Sequence, residues 1–564
     1  MRKRSVHTRR RQGLSAIALI AALTIPGTSA SVFAQSFPAP RLDLHVTSAM
    51  LTQAATSGGQ AAGAQAPAAG QTRRLTIDEA VKLALEHNLG IQIARYNPQA
   101  EDLSVAQAKA AWVPSFNNTF QKNSQSSPNN NFLAGSLTGK TTNAAFSNST
   151  GVSQQLPWGG GNYSASWDGS RSTTNSTFTN FSPQLRSGLS LSAVQPLMRN
   201  FSIDSMRQQV AVSIKNREIS DVDLRQTIAT TMRTVRNAYW NLAYATASLA
   251  VQRQSLELAQ ESLRNTRSRV EIGTTPPIDI VEAESEVATR EEAVIVAEAA
   301  IRTAEDTLRA LVFDPSAPDF WTMTIEALDV PSFQPIPVDT DAAVRNALDK
   351  RTDLLRQTKT LEVDDVQIRY LRNQTLPDVN AQFDYGLSGL GGLNLVRGPG
   401  PFGPGSGSVI DTVGRSFGAV LGDVFANRYP QWTASLNFSY PIGASQQEAN
   451  LARARIEYSQ AQTQLKNQQL QVSTQVREAA RQVQTNQKRV ETTRAARSFA
   501  ERRLEAEQRK FAAGTSTSFI VFQAQRDLAQ ASNNQLRAIL DYNQSVVDLE
   551  TVQEVPLAGG AVAP

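Results

Sequence analysis

Residues 78–88 read DEAVKLALEHN and residues 341–351 read DAAVRNALDKR, one helix-forming phrase met twice, 263 residues apart. Carried on without a gap, Pro114 falls on Pro377 and Phe120 on Phe383. Downstream, Gly273-Thr274 aligns with Gly514-Thr515, Ala283 with Ala524 and Ala288 with Ala529, now at an offset of 241. Units this long are no solenoid, whose repeats run to roughly 20–50 residues. The pattern implies duplication of a half-domain and two halves that pack as pseudo-equivalents. It divides the chain into a signal peptide over 1–34, a low-complexity lead-in over 35–72 and a first repeat over 73–313. A Pro-rich connector over 314–338, a second repeat over 339–552 and a tail over 553–564 follow.

Within the first repeat the spacing predicts a helix from Leu75 to about Trp112, opened by Thr76 with Asp78 and Glu79 in its first turn and ended at Val113-Pro114. Charge then nearly vanishes. Over 114–196 small polar residues alternate with apolar ones: Leu185, Leu189, Leu191 and Ala193 share one parity, Arg186, Gly188, Ser190 and Ser192 the other. Tyr163, Ala165 and Trp167 alternate likewise. Such a period-two pattern marks membrane barrel strands, although a soluble sandwich strand gives the same local signal. The second repeat has it from Pro377 to about Tyr385 and from Trp432 to Tyr440, around a Gly/Pro-rich stretch, 386–429, that reads as a long exposed loop.

Each β section leads into a very long helix, from about Ser202 to Glu271 and from about Ser445 to Ala512. Leu256, Ala259, Leu263, Thr266 and Val270 set a coiled-coil seam in the first, and Leu451, Ala454, Tyr458, Ala461 and Leu465 repeat its spacing in the second. Each ends at a glycine turn, GTTPP or GTSTS, from which a shorter helix returns. At ~1.5 Å per residue the long helices run on the order of 100 Å, beyond any compact domain of this size.

The amino terminus carries RKRSVHTRRR, an apolar run from Leu14 to Ile25 and small residues around Val32-Phe33-Ala34, which together read as a secretory signal. No later run reaches the ~20 apolar residues of a membrane helix. The chain has 564 residues and no cysteine, which excludes disulfides, thiol catalysis and thiolate metal sites. Three histidines, His7, His45 and His87, are too scattered for a metal cluster, and no cofactor is expected. Net charge is +5, less than the signal segment alone supplies, and no basic patch with interleaved aromatics points to nucleic acid. The string Gly135-Ser-Leu-Thr-Gly139-Lys140-Thr141 lacks one residue of phosphate-loop spacing, and Gly398-Pro-Gly400-Pro-Phe-Gly403 has no strand before it or helix after it. Without a credible nucleophile constellation, an enzyme is not expected.

Two strands per copy, four per chain, cannot close a barrel in lipid, so several chains must contribute to one wall. At this point the sequence resembles the TolC-like outer membrane efflux proteins, from about Leu75 to Leu549. The resemblance rests on LTIDEAVKLALEHN, on the helix-to-strand prolines Pro114 and Pro377, on Gln195-Pro196-Leu197 and Tyr440-Pro441-Ile442 at the strand ends, and on GTTPPIDIVEAESEVA at the first hairpin. It implies an α+β membrane protein: a long α-helical coiled-coil barrel fused to a trimeric transmembrane β-barrel of twelve strands, built from two internal repeats. It also implies an exit duct of a tripartite efflux pump or type I secretion system, passive and opened by an inner-membrane transporter and a periplasmic adaptor protein. The homotrimer would sit in outer membrane lipid with its helices in the periplasm. One departure stands out. Between Thr142 and Arg171 the first copy has an extra hairpin turning at Gly159-Gly160-Gly161, expected to lie outside the membrane; the alternative is that it enters the wall and makes eighteen strands in a trimer.

Asp279 and Glu282, just past the first glycine turn, are the candidate periplasmic gate: at i, i+3 they share a helix face, and the resemblance implies acidic gate residues here. Repeated around an axis, they would form a cation-selecting ring. The plainer role is to complement the helix dipole, worth about 0.3–1 kcal/mol. Their counterparts in the second copy, Ile520 and Gln523, carry no charge. The turn residues Gly273, Thr274 and Thr275, and Gly514, Thr515 and Ser516, are the candidate adaptor-contacting tips. Two rivals remain: an exported coiled-coil scaffold or adaptor without a pore, and a general diffusion porin, which needs more strands and no long helices.

Overall fold

The computed structural model describes residues 72–129, 139–176, 179–329, 332–400 and 407–554. The expected signal peptide, the lead-in up to residue 71 and the tail beyond Glu554 lie outside the described residues, as do 135–138 and 401–403 of the two glycine-bearing strings.

The chain opens with β1 (Thr72–Leu75), α1 (Ile77–His87) and α2 (Leu89–Ala110). Thr76 and Glu79 form a reciprocal capping box at the start of α1. The expected single helix is broken at Asn88, whose carboxamide accepts from Ile91 N and donates to Leu311 O at 3.0 Å. A polar side chain that caps a new helix and is anchored elsewhere ends the old one. Strands β2 (Ser115–Pro128), β3 (Lys140–Gln155), β4 (Asn162–Thr174) and β5 (Phe181–Pro196) follow. Then come α3 (Ser205–Glu271), α4 (Ile278–Val312) and β6 (Thr324–Ala327). The later part runs α5 (Thr340–Lys350), α6 (Thr352–Gln374), β7 (Asp378–Arg397), β8 (Val409–Arg415), α7 (Phe417–Phe425), β9 (Pro430–Ser439), α8 (Gln446–Ala512) and α9 (Ser518–Gln553).

Several elements of the two parts lie at the offsets seen in the sequence. The caps Thr76 and Asp339 lie 263 residues apart, as do the starts of α2 and α6 and of β2 and β7. Helices α3 and α8 have 67 residues each and start and end 241 apart. Ala80 and Ala84 of α1, and Ala343 and Ala347 of α5, are buried in two separate cores. Short β1 pairs in parallel with β6, a strand inside the connector that a four-residue segment with little burial does not announce. Two buried tyrosines fasten that connector: Tyr239 OH lies 2.9 Å from Asp329 Oδ2, and Tyr542 OH donates to Gln334 O at 2.7 Å.

Beyond the helices lies one antiparallel sheet, ordered β2-β3-β4-β5-β7, with β9 beside the near half of β7 and β8 beside its far end. The extra hairpin is therefore part of the sheet, as β3 and β4 between β2 and β5, and not an appendage beside it. Its turn is fastened to the shoulder where strands become helices. Gln195 Nε2 donates to Gly159 O at 2.7 Å and Gln154 Nε2 to Trp112 O at 2.9 Å. A Cβ at Gly160, where φ is +67°, would stand 2.2 Å from Asn200 O, so glycine is required there.

The 386–429 stretch is also not the long loop its composition suggests. Strand β7 continues to Arg397, β8 pairs with it, and α7 lies across the sheet. The glycines make room for it: a Cβ at Gly389 would stand 2.4 Å from Val420 O, and one at Gly391 2.5 Å from Val420 Cγ2. Asp423, a buried residue of α7, is paired with Arg415 and Arg428.

Candidate functional site

Two surfaces carry the features a duct needs, the sheet and the far tips of the helices. Reading across the sheet, Phe116, Val152, Ala165, Leu191, Tyr385 and Trp432 are successive cross-strand partners on β2, β3, β4, β5, β7 and β9. The next row, on the opposite face, is Asn117, Gly151, Ser166, Ser190, Gly386 and Gln431. Two residues along from that row, Ser115, Ser153, Ser164, Ser192, Asp384 and Thr433 line up, with Ser115 and Ser153 hydroxyls 2.8 Å apart and Ser192 donating to Asp384 at 2.6 Å. Along the row from Phe116 to Trp432 one face is apolar and aromatic across all six strands and the other is covered with small polar groups; farther along, β2 and β3 also place Asn118, Lys122, Asn148 and Thr150 on the first face. Among the described residues, β2 pairs only with β3 and β9 only with β7, so each leaves one backbone edge unpaired.

Below the sheet the helices form a layer with the same two sides. Near the strands α2 packs on α3, α3 on α6 and α6 on α8; farther down α4 packs on α3, α3 on α9 and α9 on α8. The outer members expose aliphatic and aromatic side chains: Ile93 and Tyr96 on α2, Ile295 on α4, and Ile456, Leu470 and Phe499 on α8. Hence, among the described residues, α2 and β2 on one side and α8 and β9 on the other present exposed apolar groups and an open backbone edge.

At the tips the chain turns twice in the same way. Gly273 and Gly514 take φ of +81° and +74°, and neither has an atom within 4 Å of where a Cβ would be, so backbone conformation alone calls for glycine. Thr274 N donates to Arg269 O and Thr515 N to Lys510 O, both at 2.9 Å, and each threonine hydroxyl donates to the same carbonyl. Thr275 Oγ1 is shut off from solvent without a hydrogen-bond partner. Ser516 Oγ donates to Glu507 Oε2 at 3.0 Å; with the Lys510 ammonium, which contributes most, it holds the Glu507 carboxyl below the usual range.

Asp279 and Glu282 part company. Asp279 is half-buried and accepts from Ser518 Oγ of the second hairpin at 3.1 Å, whereas Glu282 is exposed. The acid that sequence reasoning missed is Glu286, one turn farther along α4. It is buried, bound to Arg290 on its own helix at 2.6 Å and to Arg526 of α9 at 2.9 Å. A third tie joins the long helices: the Arg269 guanidinium lies 4.2 Å over the Phe511 ring and donates to Phe511 O at 3.0 Å. Near the tips the first hairpin is thus held to the second by the Asp279–Ser518 bond, the Glu286–Arg526 ion pair, the Arg269–Phe511 contacts and a hydrogen bond from Gln525 Nε2 to Ser262 Oγ at 2.8 Å. The only sequence hint was that Glu286 continues the Asp279 face at i+7.

Residues 161–312 and 343–552, more than half of the chain, match the outer membrane efflux protein family. The chain belongs to that family. It is a family of channels, not of enzymes, and its setting is the outer membrane. No curated protein sequence matches the chain. Among solved structures it is similar to the Campylobacter jejuni CmeC outer membrane channel, at 13% identity over 86% of this chain and 87% of that one, with a TM-score of 0.59. The Vibrio cholerae outer membrane protein VceC gives 15% identity over 85% and 96%, with a TM-score of 0.56. The open state of the Neisseria gonorrhoeae MtrE outer membrane channel gives 15% over 85% and 89%, with a TM-score of 0.57. At these identities the likeness shows a shared fold, a helical layer continuous with a β domain.

Proposed function

We propose that three copies of this chain close into one duct, the passive outer-membrane exit of a tripartite efflux pump or type I secretion system. The observation that supports it best is the pair of uncovered sides. A sheet edge left open in lipid costs several kcal/mol per unsatisfied backbone group, so β2 and β9 must find partners. With β2 and α2 on one side, and β9 and α8 on the other, one lateral contact between copies covers strands and helices together. The apolar face then meets lipid and the hydroxyl-bearing face lines the lumen. The matching element starts support an origin in two internal repeats over 73–313 and 339–552, joined by the 314–338 connector.

The helices, about 100 Å long at ~1.5 Å per residue, would cross the periplasm. Their tips, Gly273-Thr274-Thr275 and Gly514-Thr515-Ser516, are flanked by exposed Ile272, Ile278 and Phe519, a surface suited to the apolar tip of an adaptor protein. An inner-membrane transporter supplies the energy. In this reading the Asp279, Glu286 and Arg269 contacts hold the first hairpin against the second and keep the mouth narrow, while exposed Glu282 adds negative charge to it and favours cations. Membrane extraction tests the proposal: the protein should partition with the outer membrane and leave it only in detergent, as a trimer. Release by salt or alkali alone would favour the pore-free scaffold.

A further inference from the structure

We infer that the exit built by this chain is an eighteen-stranded barrel, about half as wide again as a twelve-stranded one. The inference rests on the three-copy duct proposed above and adds its aperture. Three observations carry it. First, the order β2-β3-β4-β5-β7-β9 puts six strands of each chain side by side. Second, in the rows near the shoulder β3 and β4 line up with their neighbours: Val152, Ala165 and Trp167 continue the apolar face, and Ser153, Ser164 and Ser166 the polar one. A hairpin standing in water outside the wall would have no need of an apolar face aligned with it. Third, the Gly159-Gly160-Gly161 turn is fitted to the shoulder through Gln195 and the Asn200 carbonyl, so the hairpin is held at its base as well as along both strands.

Barrel diameter grows about linearly with strand number. For strands ~4.8 Å apart and tilted ~40°, twelve strands give roughly 24 Å across, backbone to backbone, and eighteen roughly 36 Å. The helices do not follow. No helix continues β3 or β4, which turn back at 156–161, so each level of the tunnel keeps four helices per chain. Twelve helices spaced ~8–10 Å apart make a ring of roughly 31–39 Å, so eighteen strands keep the tunnel's width where twelve would narrow it, and the lumen there is coated with serine hydroxyls. Passage is limited by the helical mouth and not by the exit, which admits hydrophilic cargo of larger cross-section than a twelve-stranded exit passes.

Electron cryomicroscopy of the full-length protein in lipid nanodiscs tests this, in a section through the row from Phe116 to Trp432. Eighteen strands in a ring about 1.5 times the twelve-stranded width are expected. A closed twelve-stranded ring with the hairpin projecting from it overturns the inference and leaves the duct standing; chains that form no closed ring sink the duct itself. Thiol pairs give a second readout, clean because the chain has no cysteine. Ser166→Cys/Ser190→Cys, whose hydroxyls are 2.6 Å apart, should oxidise readily in native membranes. Ser115→Cys/Ser192→Cys, three strand spacings or about 14 Å apart, should not. The reverse result, in which β2 lies directly beside β5, overturns the eighteen-stranded wall.

Discussion

Replacing Glu286 by glutamine keeps the side chain's size and removes the charge that ties the two hairpins together. Glu286 is buried and Arg290 nearly so, but Arg526, the partner on the second hairpin, keeps 42% of its side-chain surface in water. Breaking a fully buried pair costs about 3–5 kcal/mol, whereas exposed pairs are worth about 0–1. A carboxylate shielded on one side only falls between, so we take about 1.5 kcal/mol for the contact across the hairpins. That is close to a tenfold shift in any equilibrium between held and released tips. In planar bilayers Glu286→Gln should raise the open probability by about that factor per chain, with single-channel conductance in the open state unchanged. Arg526→Gln should do the same, and the double variant should do little more than either alone, because both remove one contact. If both single variants gate as the wild type does while the pair is intact in it, the tie does not hold the mouth.

Further outcomes follow from other contacts. Tyr239→Phe removes a hydroxyl that accepts from Asp329 N and faces Leu75 O and Asp329 Oδ2, leaving buried polar groups unmatched; a loss of about 1–3 kcal/mol should appear in thermal melts. Gly389→Ala would drive a methyl into Val420 O and lift α7 off the sheet, so trypsin should cut faster at Arg428, and an unchanged rate would deny that fit. Lys215 and Glu218 of α3 form a four-membered ion network with Lys359 and Glu362 of α6. Hydrogen bonds from Lys359 and Lys215 depress Glu218 and Glu362, respectively, and the same bonds raise both lysines. Depressed carboxylates stabilise above their ordinary value of 4.5 and lose the effect as pH falls through the lower folded value; raised lysines stabilise below 10.5 and lose it as pH rises through the higher one. Wild type minus Glu218→Gln/Glu362→Gln should thus show a small plateau between those limits, no more than about 1 kcal/mol per pair, and a difference independent of pH would count against the network. Asp279→Asn/Glu282→Gln should reduce cation preference in bilayer reversal potentials, and an unaltered preference would confine these acids to helix-end electrostatics.

Local rules made much of the molecule readable in advance. The capping box at Thr76, Ser445 ahead of α8 and the glycine turns each depend on a few neighbouring residues, and the sequence shows them directly. Alternation likewise marked strands and told their two faces apart. What the sequence withheld were partnerships between distant segments. Nothing local says that β3 and β4 stand between β2 and β5, because serine-rich strands of equal polarity pair with any neighbour in register. The glycines near 389 signal a loop by composition, yet here they admit the backbone of α7 onto a strand. Glu286 reads as one more acid on an Ala-rich helix until Arg526, 240 residues away, is seen against it.

Single-channel recording from purified protein reconstituted in planar bilayers bears most directly on the duct. Three chains sharing one wall should give discrete, uniform conductance steps, small in the wild type and more often open in Glu286→Gln. Well-folded, membrane-inserted protein that shows no steps in either form would contradict a duct through the middle of this assembly.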